Sequence, residues 1–281
     1  MKIRWRTILK SLQEVRELLN LIYCEFAKLQ RKPLTFVAAF LSIVMPLVYM
    51  LLLSNAQTSE QAVEGVMSCL FQLSAYLLLM PIEVVLASNL FFEEQDNGTL
   101  KNLLTVPVSK PRLAIGKMLV ILIFSIMFMA AGGLLSMVIL LFQGWRLAGF
   151  WPLFFVGLGE SLMMWAGALP CILLVILLNK SYIISVIITF FYTLVNYLLA
   201  TNTSLLTQPF GLNPGTLLPG PLSLRWIFQF YNVGNSNAEM AALLEKINPY
   251  FLNVTQAFSI TAIEAVVFLT LIAAVYKRQK A

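Results

Sequence analysis

The sequence predicts an all-α membrane protein with six transmembrane helices, and two observations lead to this prediction. First, 59% of the 281 residues are hydrophobic and 11% are charged, with a mean hydropathy of +0.84. About a quarter of the residues of an average soluble domain are charged. Second, apolar runs long enough to cross a bilayer recur, whereas the alternating segments of about ten residues typical of β-barrels do not. Because a backbone in lipid must satisfy its own polar groups, the runs are predicted to be helices.

The predicted spans are separated by turns and by ionisable residues. Each contains about 20 apolar residues or more, which a hydrocarbon core of about 30 Å requires. The six spans are 34–53, 66–91, 113–142, 152–178, 182–200 and 256–275. They predict one membrane domain over residues 34–281, preceded by an N-terminal segment over residues 1–33.

The distribution of Lys and Arg predicts the orientation of the chain. Of the 19 such residues, 16 lie in the N-terminal arm, between spans two and three, at position 180 or in the C-terminal tail. The other three are Arg146, Arg225 and Lys246. Because cytoplasmic loops carry an excess of Lys and Arg, both termini are predicted to be cytoplasmic, in a multi-pass protein of the cell membrane. An anionic inner leaflet explains the net charge of +6 without nucleic acid.

The residue types present exclude several kinds of chemistry. The chain has no His, so zinc-protease and Ser-His-Asp chemistry are excluded. Its cysteines, Cys24, Cys69 and Cys171, are scattered, which fits neither a disulfide framework nor a metal site. We therefore expect no catalytic residue, metal or cofactor in this chain.

The N-terminal segment predicts an amphipathic helix. Between Ile3 and Phe26, apolar residues recur at steps of three and four, with charged residues between them. This pattern is typical of a helix lying on the inner leaflet, although a helix packed on a partner protein has the same pattern. Pro33 is predicted to end the helix and to begin span one.

Residues 91–112, FFEEQDNGTLKNLLTVPVSKPR, form a charged and proline-punctuated segment between spans two and three. An acidic group and a turn precede a predicted short helix over 99–104, whose N-terminus favours negative charge. Lys117 is predicted to hold the membrane interface. A loop on the membrane surface has a similar composition. The residues of the predicted element are Glu93, Glu94, Asp96, Asn97, Gly98, Thr99, Leu100, Leu103, Leu104 and Pro107.

This segment resembles the signature of ABC-2 type transporter permeases. The resemblance rests on Phe91, Glu93, 97–100, 103–104, 107–109 and 116–117. It implies that the segment is a coupling helix that docks on an ATPase subunit. The size of the chain and its lack of a fused domain are most similar to permeases of bacterial lantibiotic-immunity and bacitracin-type peptide-resistance exporters. The resemblance thus implies a bacterial exporter of an antimicrobial peptide.

The chain has no P-loop of its own. Its Gly116-Lys117 pair has Pro111 in place of the first P-loop glycine and Met118 in place of the hydroxyl residue. We therefore expect a non-catalytic subunit, with ATP and Mg bound by a separate ATPase. The resemblance implies two ATPase copies and a second permease, identical or a sister, besides contact with membrane lipids.

Three carboxylates lie inside predicted spans, at Glu83, Glu160 and Glu264. An ionisable group in hydrocarbon costs several kcal/mol unless it is paired, protonated or hydrated, so each is a candidate for the substrate pathway. Glu160 and Glu264 each lie about eight residues from the predicted external end of a span. Both are therefore expected to face one vestibule that attracts a cationic peptide. The alternative is a protonated or hydrogen-bonded carboxyl with a structural role.

An external region is predicted between spans five and six. The Pro- and Gly-rich residues 209–221 predict an irregular surface loop, and 236–247 predict a short helix at the outer interface.

Two other transport functions stay open: a proton-coupled secondary transporter that uses the three glutamates, and an ABC-2 permease that exports a lipid, drug or ion. The missing His disfavours a membrane-embedded enzyme.

Overall fold

The fold is a bundle of long helices. The computed structural model describes residues 16, 19–30, 33–49, 51, 56–96, 109–178, 182–209, 211, 213–232, 234 and 238–278. These ranges contain no strand, which confirms the all-α prediction for them. The helices are α1 (Leu19–Gln30), α2 (Pro33–Val48), α3 (Ser59–Cys69), α4 (Met80–Asp96), α5 (Lys110–Phe142), α6 (Phe150–Leu178), α7 (Tyr182–Ala200), α8 (Thr203–Leu206), α9 (Pro219–Ile227), α10 (Ala238–Ile247) and α11 (Val254–Arg278).

The predicted count of six spans is confirmed only in part. Among the described residues, four helical stretches are long and apolar enough to cross a membrane: Ser59–Phe92, Lys110–Phe142, Phe150–Leu178 and Val254–Arg278. A fifth span results if α1 and α2 are counted together, across a bend of 80°. The apolar part of α7, Ile184–Ala200, falls short of the roughly 20 residues that a span needs. The predicted spans 34–53 and 182–200 are therefore not confirmed.

The stretch that begins with α3 contains a wide turn in its middle. Residues Leu70–Leu79 are wound as a π-helix, so that the backbone N–H of Met80 bonds to the carbonyl of Ala75. Pro81 follows directly, and it has no N–H with which to continue an α-helical hydrogen-bond ladder. The π-helical hydrogen bonding thus continues up to the residues just before Pro81. Tyr76 lies within the π-helix.

The two ends of the bundle differ in composition. The end of the bundle where α4 ends and α5 begins is called the basic end, because it carries Lys110, Arg112, Lys277 and Arg278. We call the opposite end, which holds residues 142–150 and the start of α11, the loop end. At the loop end, the backbone N–H of Arg146 donates to Ser59 Oγ at 3.3 Å. The sequence predicts the basic end to be cytoplasmic.

Small residues allow close packing in the middle of the bundle. A Cβ atom added at Gly157 of α6 would lie 2.9 Å from the Phe71 ring, and one at Gly133 of α5 would lie 2.7 Å from the Phe154 ring. Such positions let helix backbones approach closely in membrane proteins. α6 is central, with 67% of its most apolar stretch buried, whereas α11 is peripheral, with 17%.

Residues 213–231, which we call the wedge, insert into the bundle instead of covering its surface. All nine residues of α9 are buried. Pro219 packs against Gly167 of α6, and Trp226 packs against Gly159, so α9 runs antiparallel to α6 over about 10 Å. The predicted surface loop over 209–221 is therefore wrong for its last three residues, 219–221, which are buried in α9. The prolines do not break this segment, because Pro219 and Pro221 occupy the first turn of α9, where a missing N–H costs nothing.

Candidate functional site

The helices on both sides of the predicted coupling helix are described, but the helix itself is not. α4 continues to Asp96, so the helix runs five residues beyond the predicted end of span two. Glu93, Glu94 and Asp96 thus lie in the last turns of α4. α5 then begins at Lys110, after Ser109 in an extended conformation. The other predicted coupling residues lie outside the described residues: Asn97, Gly98, Thr99, Leu100, Leu103, Leu104 and Pro107.

A buried ion pair lies at the basic end, beside this segment. Lys117 Nζ lies 3.1 Å from Glu25 Oε2 and donates to the carbonyl of Leu90 at 2.5 Å. The side chain of Lys117 is fully buried and that of Glu25 is 1% exposed. Lys117 therefore faces the interior of the bundle at its basic end, and its predicted position at the membrane interface stays a prediction. Carbonyl and carboxylate oxygens within reach replace the water that the ammonium loses on burial.

Aromatic rings complete the surroundings of Lys117. Its Nζ lies 5.6 Å from the centroid of the Phe91 ring, a distance at which the π-system attracts a cation. Phe91 in turn makes an edge contact with Tyr276 of α11, with ring centroids 5.1 Å apart. The basic end thus joins α1, α4, α5 and α11 around one ammonium group.

Glu83 is fully buried on α4, next to α5. Its Oε1 is hydrogen-bonded to the Ser125 hydroxyl, which also lies 2.9 Å from the carbonyl of Ile121. Within the described part of the chain, Glu83 Oε2 has no hydrogen-bond partner. A serine hydroxyl has one proton, so a protonated Glu83 that donates to Ser125 Oγ would let Ser125 donate to Ile121. This hydrogen-bond count favours a neutral carboxyl.

Glu160 lies on α6, opposite the wedge. It is fully buried, and neither of its carboxylate oxygens has a hydrogen-bond partner among the described residues. It interacts electrostatically with the phenols of Tyr76 and Tyr231. Burial raises the pKa of the Tyr231 phenol, and the neighbouring Glu160 adds to that rise, so this hydroxyl stays protonated. The preceding residue, Gly159, lies against the rings of Trp226 and Phe258.

Glu264 lies on the peripheral helix α11 and is half-buried. It interacts electrostatically with Tyr192 of α7. Glu160 and Glu264 thus have different neighbours, and no described contact joins them. The expectation that both face one vestibule has no support from these contacts.

The wedge is held in place by polar residues that the sequence analysis did not single out. The Tyr76 hydroxyl donates to the carbonyl of Gly220 at 3.0 Å and is hydrogen-bonded to Ser223. Asn196 Oδ1 accepts from the backbone N–H of Gly220 at 3.1 Å. A Tyr or Asn in an apolar run is a weak signal in sequence, because the partners lie 144 and 24 residues away.

Arg225 is the largest fully buried side chain, although its charge predicts a position in water. Its guanidinium donates to the carbonyl of Leu205 and, at 2.7 Å, to that of Gln208. Burial lowers the pKa of Arg225, and the nearby Tyr250 phenol offsets part of this effect. Arg225 therefore satisfies backbone carbonyl groups at the end of α8 and just after it, and so acts as a C-terminal cap.

Glu25 had a recognisable signal in the sequence. It lies three residues after Ile22 and four before Leu29, and so on the apolar face of α1. A carboxylate on the buried face of an amphipathic helix requires a partner, and the structure supplies Lys117.

These features define a multi-pass helical membrane protein in which two long antiparallel helices flank a charged segment at one end of the bundle. A family model described as ABC-2 family transporter protein matches residues 21–196, which are 176 of the 281 residues. The chain belongs to this family and is a membrane permease of an ABC transporter. Membership implies an ABC ATPase partner. A search of the curated proteins gave no match.

Proposed function

We propose that this chain is the non-catalytic permease subunit of an ATP-driven exporter that removes an antimicrobial peptide from a bacterial cell or its membrane. The observation that carries the proposal is the family match, since residues 21–196 include α4, α5 and the segment between them. Two ATPase copies bind ATP and Mg, and a second permease, identical or a sister, completes the transporter. Both termini and the basic end face the cytoplasm.

The proposed path of mechanical work starts at residues 97–109. α4 and α5 both end next to this segment, and α5 is 33 residues, or about 50 Å, long. A push on the segment is therefore transmitted along two helices that extend towards the loop end. α5 carries Ser125, the partner of Glu83, and it packs through Gly132 and Gly133 against Leu70 and Phe154. Movement of α5 would disturb the middle of the bundle.

The ATPase contact is tested by co-purification in mild detergent with the products of neighbouring genes. In the predicted helix 99–104, Leu100, Leu103 and Leu104 share one face, which we take as the docking face, and Asn102 lies on the opposite one. Leu103→Asp with Leu104→Asp places two charges on the docking face and is expected to abolish both ATPase binding and vanadate-sensitive ATP hydrolysis by the complex. Asn102→Asp adds a charge to the predicted opposite face and serves as the control. Absence of an ATPase from the wild-type preparation would overturn the proposal.

The proposed substrate is a cationic amphipathic peptide of the lantibiotic or bacitracin type. In its support, Glu160 is buried and neither of its oxygens has a hydrogen-bond partner among the described residues, while Lys117 pairs with Glu25. Changing Glu83, Glu160 and Glu264 singly to Gln tests the idea, with the minimum inhibitory concentration of the peptide as the measurement. The largest loss of resistance is expected for Glu160→Gln. Unchanged resistance in all three variants would contradict the proposed substrate.

A second candidate function is proton-coupled transport, which is favoured by the two buried carboxyls, Glu83 and Glu160, whose oxygens are not all hydrogen-bonded within the described part of the chain. It predicts transport that is abolished by a protonophore and is insensitive to vanadate. ATP-driven export of a lipid, drug or ion predicts the opposite pair of results, together with no effect of the three Glu→Gln changes on peptide resistance.

A further inference from the structure

The pair of Glu25 and Lys117 connects two distant parts of the chain. Glu25 lies on α1, and Lys117 lies 92 residues later, in the second turn of α5. The second oxygen of Glu25 accepts from Lys28 at 2.5 Å, and the Lys28 side chain is 44% exposed. The Glu25 carboxylate therefore makes two ion pairs. We call the one with Lys117 of α5 the buried arm and the one with Lys28 of α1 the exposed arm.

The buried arm lies close to the proposed coupling segment. Leu90, whose carbonyl accepts from Lys117, precedes the end of α4 by six residues, and Lys117 follows the start of α5 by seven. These distances are about 9 and 10 Å along the two helices. Lys117 thus joins α1 to both helices at nearly the same distance from the end of α4 and from the start of α5.

A steric contact adds to the ion pair. A Cβ atom added at Gly116 would lie 2.9 Å from Leu21 Cδ2, so α1 approaches the backbone of α5 more closely than most residues would allow. Leu21 and Glu25 are one helical turn apart on α1. Two successive turns of α1 therefore contact two successive residues of α5.

Burial makes separation of this contact costly. Separating the pair in place would take the buried Lys117 ammonium away from the Glu25 carboxylate without giving it water in exchange, which is unfavourable. Separation with hydration would require α1 to leave the bundle. As long as the bundle stays closed, α1 has to follow the ends of α4 and α5.

We propose that Glu25 and Lys117 are positioning residues that make α1 move as one body with the ends of α4 and α5 when the ATPase acts on residues 97–109. This inference rests on the proposed function. Neither side chain is assigned a contact with nucleotide or substrate. Their role is to extend the movement of the coupling segment to the N-terminal helix.

The chain contains a natural reporter for this movement. Cys24 is exposed on α1, next to Glu25, whereas Cys69 and Cys171 are buried. A maleimide spin label on the folded wild-type chain therefore reports on α1. The measurements are the mobility of the label in the permease alone and its change when the purified ATPase complex is trapped with ATP and vanadate.

Three variants separate positioning from folding. Lys117→Met leaves the buried Glu25 without its counter-charge on α5 and is expected to destabilise the chain. Glu25→Gln with Lys117→Met removes both charges, so it is expected to fold like the wild type while lacking the tie. Lys28→Met removes the exposed arm, keeps the buried one and is the matched control.

The expected result is that the double variant hydrolyses ATP but loses the vanadate-dependent change of the label, while Lys28→Met keeps it. A double variant with the full wild-type change would overturn the inference. If no ATPase binds the wild type, the proposed function fails. The mobility of the label in the permease alone then tests whether the ion pair ties α1 to α5. In that case, label mobility that is raised in the double variant and not in Lys28→Met supports the tie, and equal mobility refutes it.

Discussion

Gly220 is the position where a single methyl group should do the most damage to the wedge. A Cβ atom there would lie 2.8 Å from Ala200 Cβ, 2.8 Å from the Asn196 carbonyl oxygen and 2.9 Å from Asn196 Oδ1. One of these atoms belongs to the backbone of α7 and cannot rotate away. Gly220→Ala must therefore push the first turn of α9 away from α7.

The expected cost has two parts. Overpacking of a close-packed interior costs about 1–3 kcal/mol. The displacement also weakens the hydrogen bond from the Gly220 N–H to Asn196 and the one from Tyr76 to the Gly220 carbonyl, at about 1 kcal/mol each or less. We expect a loss of about 3 kcal/mol in the free energy of unfolding. For a chain of this size, that lowers Tm by about 5–10 °C.

The buried thiols provide the assay. In a Cys24→Ser background, Cys69 and Cys171 are buried and react with a fluorogenic maleimide only as the protein unfolds. The control is Gly234→Ala, because a Cβ atom at Gly234 would meet only Asn232 Oδ1, at 3.4 Å. Equal melting temperatures for Gly220→Ala and Gly234→Ala would refute the placement of the wedge between α6 and α7.

Three further outcomes follow from the buried polar groups. Arg225→Met leaves two carbonyls without their donor and should lower Tm by more than Gly220→Ala, whereas Arg146→Met, at an exposed site, should change it by less than about 2 °C. Glu83→Gln should melt within about 2 °C of the wild type if the carboxyl is neutral, and a large loss would indicate a charged group with a bound cation. Tyr76→Phe combined with Gly220→Ala should cost less than the sum of the single changes, because both act on one contact, and strict additivity would contradict this.

The helices that sequence reasoning predicted well are those whose apolar runs exceed the thickness of a membrane. α5, α6 and α11 contain the predicted spans 113–142, 152–178 and 256–275 almost entirely. Pro111 in the first turn of α5 and the basic residues that end α11 are local signals, and local signals are sufficient to set such ends.

Prediction was weaker where the hydrophobic run was short or interrupted. The described parts of α2 and α7 are apolar but shorter than a full span. The Pro- and Gly-rich residues after α7 were expected on the surface, yet from Pro219 they are buried in the bundle. Their small side chains allow that insertion as readily as they allow a turn, and only neighbours such as Gly167 distinguish the two outcomes.

The sequence by itself determined the class of molecule, because hydropathy, the absence of His and the composition of residues 91–112 are properties of the chain that no packing alters. The tertiary structure alone decided the roles of the buried polar groups. Glu25 acquired its partner 92 residues away, Arg225 became a cap, and Glu160 was left without a hydrogen bond among the described residues. A polar group in an apolar interior is defined by the few atoms within hydrogen-bonding distance, and long-range folding brings those atoms together.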